Sequence, residues 1–209
     1  MTSAFASRES TIDEPVAAAD RLTPVSRRIH FRPLVPQDLD LLYHEATSFE
    51  GGYRWRYRGA TPSPADFKRA LFDGVLAQYM AVRATSGEPV GLTVAYNANH
   101  ANGFAYIAAL SLERWRGTGL MMEGVSLFVT HVLSTWQFRK LYVEVPAYNV
   151  GSFGSAIGSV LHQEGTLRHH EYHAGQYWDL LLLAIYRADW QRPDGSIGLP
   201  FPRAVVNTE

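Results

Sequence analysis

The feature that most constrains this chain is a turn that joins a strand straight to a helix through two glycines, Leu110-Ser-Leu-Glu-Arg-Trp-Arg-Gly-Thr-Gly-Leu120. A stretch of alternating side chains, about 103–112, runs into it, and helical spacing of Met121, Val125, Phe128 and Val132 runs out of it. Such a junction belongs to folds that layer helices on a sheet. Gly117 and Gly119 let the backbone approach a ligand closely, and the first-turn amides of the next helix have no partners within it. Together with the helix dipole these amides favour a phosphate or pyrophosphate. Thr118 offers a hydroxyl donor, and Arg114 and Arg116 offer positive charge. A P-loop needs a longer glycine spacing followed by Lys and Ser/Thr, and the dinucleotide fingerprint needs a third glycine where Met122 stands. A tight turn without a ligand is the remaining reading of the two glycines.

Around this junction the pattern alternates. Ile29 and Phe31 mark a first strand that stops at Pro33; Pro36, Leu39, Leu42, Tyr43 and Ala46 mark a helix, and Ser63-Pro64 starts a second helix with Phe67, Leu71 and Val75. Strands near 78–85, 90–98 and 103–112 follow, then the helix 118–134, a strand Leu141–Val145, a short helix 150–162 and strands near 166–173 and 176–187. The order is β-α-α-β-β-β-α-β-α-β-β, an α/β fold with a mixed sheet and covering helices. Residues 1–26 lack periodicity and suggest a mobile tail, residues 27–190 a single domain, and residues 191–209 a second tail.

Composition removes several classes. Nineteen basic against 20 acidic residues argue against a broad nucleic-acid footprint or a polybasic membrane patch. The absence of cysteine excludes disulfides, thiolate metal sites and a cysteine nucleophile. No apolar run approaches membrane-span length, and Glu9, Asp13, Glu14 and Asp20 do not suit a signal peptide, so the expected place is cytoplasmic.

Arg114-x-x-Gly117-x-Gly119, between the fourth strand and the third helix, resembles the acyl-CoA pyrophosphate loop of the GNAT superfamily of N-acyltransferases. The chain is similar to the branch that contains the ribosomal-protein N-terminal acetyltransferases. The marks are Arg32-Pro33-Leu34 with Asp38-Leu39, Gly119-Leu-Met-Met-Glu123, Tyr148-Asn149-x-x-Ser152, Glu164-Gly165-x-Leu167-Arg168 and Ala188-Asp189-Trp190. The resemblance implies a mostly antiparallel sheet whose fourth and fifth strands splay apart, with helices on both faces. It implies acetyl-CoA or another acyl-CoA as co-substrate, its pantetheine lying between those strands against the backbone of Leu110, Ser111 and Leu112. The pyrophosphate would lie on the amides from Arg116 to Leu120.

The implied acceptor is an amine-bearing small molecule or peptide, with no nucleic acid and no membrane, and a homodimer is left open. Glu144, five residues before Asn149, matches the base glutamate of a bacterial ribosomal-protein alanine acetyltransferase; a glutamate satisfied by its strand neighbours is the alternative. Asn149 and Ser152 match the family's Asn-x-x-Ser, Asn149 toward pantetheine or water and Ser152 beside the sulfur, although both are also ordinary helix starters. A family Tyr that protonates the thiolate is replaced by Ala156, the usual Gly-Phe by Val160-Leu161, and a frequent basic residue by Phe153, which leaves Ser152 or water as proton donor. Two further readings stand beside this one: an acyl-carrier-dependent transferase and a degenerate acyl-CoA-binding module.

Three remaining segments bear on specificity. Gly51-Gly-Tyr-Arg-Trp-Arg-Tyr-Arg-Gly59 reads as a lid over the acceptor, with Arg54, Trp55 and Arg56 as substrate contacts, or as a solvated loop. Gly151-Ser-Phe-Gly-Ser-Ala-Ile-Gly-Ser159 is rich in small residues and leaves room for an acyl chain longer than acetyl. His169, Glu171 and His173 fall on one face of an ideal strand without an obvious fourth ligand, so no metal is expected there.

Overall fold

The computed structural model describes Ser26, residues 28–48, Trp55, residues 57–193 and residues 195–198. Among them seven strands form one sheet in the order β1-β2-β3-β4-β5-β7-β6. β1 (Ile29–Arg32), β2 (Val75–Arg83), β3 (Pro89–Asn99) and β4 (Phe104–Ser111) are successively antiparallel. β4 and β5 (Lys140–Pro146) are parallel, and β5, β7 (Gln176–Tyr186) and β6 (His162–His173) are antiparallel again. The sheet is therefore mostly antiparallel, as the resemblance implies.

Four helices accompany it among the described residues: α1 (Pro36–Thr47), α2 (Pro64–Phe72), α3 (Leu120–Thr135) and α4 (Arg187–Trp190). α1 and α2 bury Leu42, Ala46, Phe67 and Leu71 on one face of the sheet, against Met80, Val82, Leu92 and Leu110. α3 buries Phe128, Val129 and Val132 on the other, in one core with Ile29, Ala81, Ala95, Leu141 and Leu183. Because β3 is covered on both faces, Val90 to Ala95 read as an unbroken buried run rather than an alternation.

Local chemistry fixes where the helices begin and end. At α1 the Asp38 carboxylate accepts from the Val35 amide at 2.8 Å and from both Arg32 guanidinium nitrogens at 2.6 and 2.9 Å, which ties the helix start to β1. Burial pushes the Asp38 carboxyl up, but the hydrogen bonds from Arg32 and Val35 outweigh it and hold the group below the ordinary carboxylate range. At the far end of α3, Arg187 donates to the carbonyls of Phe138, Leu133 and Trp136 at 2.6–2.7 Å. A cation there satisfies orphan carbonyls and complements the helix dipole. The Ala188-Asp189-Trp190 mark is likewise a docking device: Trp190 is buried and its indole N–H donates to Thr130 Oγ1 at 2.9 Å. After it the chain folds back, with Gln191 bridged to Ile197 and the Gly198 amide donating to Trp190 O at 3.1 Å.

Three sequence expectations are corrected. Val75, grouped with Phe67 and Leu71 by its spacing, opens β2, because Gly74 at φ +64° turns the chain after α2. The helix expected over 150–162 is instead two 3-10 turns, Ala147–Ser152 and Gly154–Ala156, followed by a turn into β6. Gly154 and Gly158 there have φ of +38° and +84°, outside helical geometry. Finally, β6 carries one extra residue between Gln163 and Gly165 and a second irregularity between Leu167 and Glu171, where His169 has φ +51°. Those bulges break the alternation that places His169, Glu171 and His173 on one face.

The topology leaves one gap inside the sheet itself. β4 and β5 pair only through Phe104↔Lys140, Ala105↔Leu141 and Tyr106↔Tyr142. Beyond Tyr106 and Tyr142 the two strands no longer pair with each other, although residues 107–111 stay on β3 and residues 143–146 stay on β7. The sheet therefore forks from within.

Candidate functional site

One arm of the fork ends in the glycine turn. After β4 a short 3-10 turn (Glu113–Trp115) leads to Gly117 and Gly119, with φ of +77° and +75°, and α3 starts at Leu120. Both glycines sit in the left-handed region that other residues avoid, and a Cβ on either would meet nothing within 4 Å, so the space over the turn is open. The amides of Gly117 and Gly119 have no partner among the described residues. Below the turn, Trp115 anchors the chain: its indole N–H donates to Pro89 O at 2.9 Å, and the Arg83 and Arg114 guanidiniums lie 5.2 and 4.8 Å from its ring.

The side chains of this turn are less available than the sequence implies. Arg114 pairs with Glu88 at 3.0 Å, and Arg116 pairs with the buried Glu45 of α1. The Thr118 hydroxyl donates to Trp115 O at 2.7 Å, so it stabilises the turn rather than pointing at a ligand. What the turn presents is backbone.

The strand leading into it also needs one correction. The Leu112 amide donates to Val90 O at 2.9 Å, and a Cβ on Gly91 would fall on the Leu110 carbonyl oxygen, so both residues turn their main-chain groups toward β3. Main-chain groups alternate sides along a strand. Of Leu110, Ser111 and Leu112, it is Ser111 that faces the fork.

The other arm carries Glu144. Leu141 and Val145 point into the α3 core, so alternation turns Tyr142 and Glu144 to the opposite face, where Glu144 is exposed. There Glu144 lies across from Leu182, and Leu182 across from Gly165. Together with Tyr106, Leu167 and Leu180 these residues line a cleft of about 190 Å³. Among the described residues Glu144 has no ion pair or hydrogen-bond partner. Burial raises the Tyr106 hydroxyl above its ordinary pKa, and the Glu144 and Tyr142 charges add to the shift.

Beside the cleft stands a closed polar cluster. The bulge between Gln163 and Gly165 turns Glu164 onto Lys140 at 2.7 Å, Tyr142 Oη at 2.8 Å and Tyr186 Oη. Burial opposes ionisation of Glu164, but these three donors outweigh it and hold the carboxyl at about 2. Phe104, Tyr106 and Tyr142 pack on one another with ring centroids 5.2–6.3 Å apart, so the closed end of the fork is aromatic.

Asn149 and Ser152 come together at the end of β5, where the Ser152 hydroxyl donates to Asn149 Oδ1 at 2.9 Å. Arg58 crosses to β6, 2.6 Å from Glu171 and 3.1 Å from Tyr148 Oη, and Tyr148 stacks on His173 at 4.3 Å. Glu171 and His173 thus serve this strap. Trp55 is buried and packs against Phe67 of α2, while Arg54 and Arg56 lie outside the described residues. Arg58 belongs to the Gly51–Gly59 segment that the sequence offers as a lid, and the structure turns it to Glu171 and Tyr148. Tyr106 and the place of Gly165 in the cleft escape a reading of the sequence because they meet the site across the sheet.

Residues 28–156, more than half of the chain, match the model of the acetyltransferase (GNAT) domain. No curated protein sequence matches. The structure is similar to a spermidine N-acetyltransferase from Vibrio cholerae in complex with CoA and spermine, with 15% identity, a TM-score of 0.66 and coverage of 78% of this chain and 98% of that one. It is also similar to a probable GNAT-family acetyltransferase from Chromobacterium violaceum at 18% identity (TM-score 0.64, 91% and 96% covered). A ribosomal L7/L12 alpha-N-protein acetyltransferase aligns at 19% identity (TM-score 0.61, 78% and 92% covered). At such identities the likenesses establish the fold, and the family model adds the class: this chain belongs to the GNAT acetyltransferase family and is an N-acyltransferase of that class.

Proposed function

We propose that the chain transfers an acyl group, acetyl or longer, from acyl-CoA to a primary amine of a small molecule, peptide or protein N-terminus. The observation that carries this reading is the fork between β4 and β5, with an open backbone turn at the head of α3 beyond one arm and an unpaired carboxylate, Glu144, on the other. Pantetheine carries amide groups that suit an unpaired strand edge, and the pyrophosphate suits the amides of Gly117, Gly119 and the first turn of α3.

In the reaction the ammonium gives one proton to Glu144, directly or through water. The free amine nitrogen bonds to the thioester carbon and gives up a second proton as the amide forms. The carbon–sulfur bond breaks with its electron pair on sulfur, and that second proton passes through water to the thiolate, which leaves as CoA thiol. No covalent enzyme intermediate forms, so the absence of cysteine is no obstacle. Ser152 spends its hydrogen on Asn149, which favours water as the final donor to sulfur.

Two variants test the halves separately. Gly119→Glu puts a carboxylate into the open space over the turn, and calorimetry is expected to show CoA affinity lost while the protein stays folded. Glu144→Gln keeps shape and removes basicity; kcat is expected to fall ~10²–10⁴-fold with CoA affinity unchanged. The defect shrinks as pH rises toward the amine's own pKa. Wild-type kcat/KM in Glu144→Gln across neutral pH would remove Glu144 from the mechanism.

A further inference from the structure

The acceptor end of the site has a composition of its own. Its walls, Thr166, Leu167, Leu180 and Leu182, stand on β6 and β7, Tyr106 stands on β4, and Glu144 is the one carboxylate among the described residues that lines it. The neighbouring acids are already neutralised: Glu164 by Lys140 and two tyrosine hydroxyls, Glu171 by Arg58. Asp179 is on the other side of β7 by alternation and accepts from the His169 amide at 2.8 Å. The cleft thus offers one uncompensated negative charge, an aromatic face and three leucines.

Gly165 decides how much room there is. It lies directly across from Leu182, in the same cross-strand row as Glu144, so any side chain there would enter the cleft. A Cβ at this position would meet only Leu182 Cβ, at 4.0 Å, and its φ is not in the left-handed region. The glycine is therefore not required by the backbone; its effect is to leave volume. That volume, about 190 Å³, is below the ~300–1,000 Å³ typical of drug-sized sites.

Resting on the acyltransferase reading above, we propose that the acceptor is a small primary monoamine with an apolar alkyl or arylalkyl body: its ammonium sits on Glu144 and its body lies among Tyr106, Leu167, Leu180 and Leu182 in the space left by Gly165. A polyamine would bring several charges to a cleft with one carboxylate, and each unpaired ammonium loses hydration on entering an apolar wall. A peptide N-terminus would bring a polar backbone against a wall made mostly of leucine side chains, which offer it no hydrogen bond.

The test is a series of amines with acetyl-CoA, read as thiol release and confirmed by mass spectrometry of the product. Ethylamine through pentylamine is expected to gain roughly fourfold in kcat/KM per methylene, the rate equivalent of about 0.8 kcal/mol of burial. 2-Phenylethylamine is expected to exceed both spermidine and a Phe-Ala-Ala peptide by at least tenfold. Gly165→Leu should cost at least tenfold on 2-phenylethylamine, spare ethylamine and leave CoA affinity unchanged; Gly165→Val, a smaller change on the same edge strand, should give the same ranking at lower amplitude if the leucine variant does not fold. Preference for spermidine or the peptide, or equal rates for ethylamine and 2-phenylethylamine in wild type and the variants, overturns the assignment and leaves the transferase reading standing. Thiol release unaffected by every amine, with CoA still bound, sinks both.

Discussion

The two halves of the sheet are held together by different means. β1 to β4 lie between α1 and α2 on one face and α3 on the other, and their stability rests on close packing of buried aliphatic and aromatic side chains. β5 and β7 share the α3 core and the exposed β6 extends the sheet beyond them, but the face opposite α3 carries the cleft and a cluster of ionised and hydroxyl groups around Glu164. One half is sensitive to single atoms, the other to protons. A site that must admit a ligand is better built on the second kind, since a fully packed face has no space to give.

The sharpest way to break this contrast is at Gly91, in the packed half. A Cβ there would overlap the Leu110 carbonyl oxygen and lie 2.6 Å from Met121 Sδ, and backbone cannot swing aside as a side chain can. Gly91→Ala is expected to cost about 3 kcal/mol or more, read as a large drop in Tm. A variant that melts with the wild type would mean that β3 and β4 have slack the packing does not suggest.

A smaller effect is expected where α3 closes the packed half. Arg187 serves three carbonyls, and Arg187→Met keeps much of the stem while leaving them without a donor. The expected loss is ~1–3 kcal/mol by denaturant unfolding, with CoA affinity unchanged. Equal loss of CoA affinity would show that the helix end and the helix head are coupled.

The smallest effect belongs to the open half and depends on pH. Because the Glu164 carboxyl sits at about 2 in the folded chain, below its unfolded value, the unfolded state binds more protons in the interval between them. Its contribution is present above about pH 4.5 and is lost as pH falls toward 2. Glu164→Gln should lower Tm modestly at pH 7, and the difference from wild type should close as pH falls through this window. A constant difference would assign the effect to shape rather than charge.

What the sequence disclosed, and what it hid, follows the range of the interactions. The strand-turn-helix at Leu110 to Leu120, the capped start of α2 at Ser63 and the hairpin at Ala174-Gly175 are set by neighbours and were readable as such. The segment 150–162 misled because its apolar spacing suits a helix, while Gly154 and Gly158 take dihedrals that a helix cannot hold. In β6, period two was the right rule applied to a strand with bulges, and bulges leave no local signature beyond an unusual φ at His169. Arg114 and Arg116 advertised free charge, yet Glu88 and Glu45 neutralise them from 26 and 71 residues away in the chain. Glu144 was visible as a spacing, but the cleft that Gly165 and the leucines form around it was not, since only the β5-β7-β6 register brings them together.

The fork has a consequence for solubility as well as for binding. Unpaired strand edges on the rim of a sheet are templates on which other chains can add and aggregate. Here residues 107–111 and 143–146 expose their free edges to each other inside the sheet, behind a closed end of three paired residues and beneath α3. A neighbouring chain's pleated strand, which brings side chains on both faces, has no open rim to join along this edge. The fold can therefore keep two stretches of unsatisfied backbone ready for a slender, amide-bearing ligand without offering them to another copy of itself.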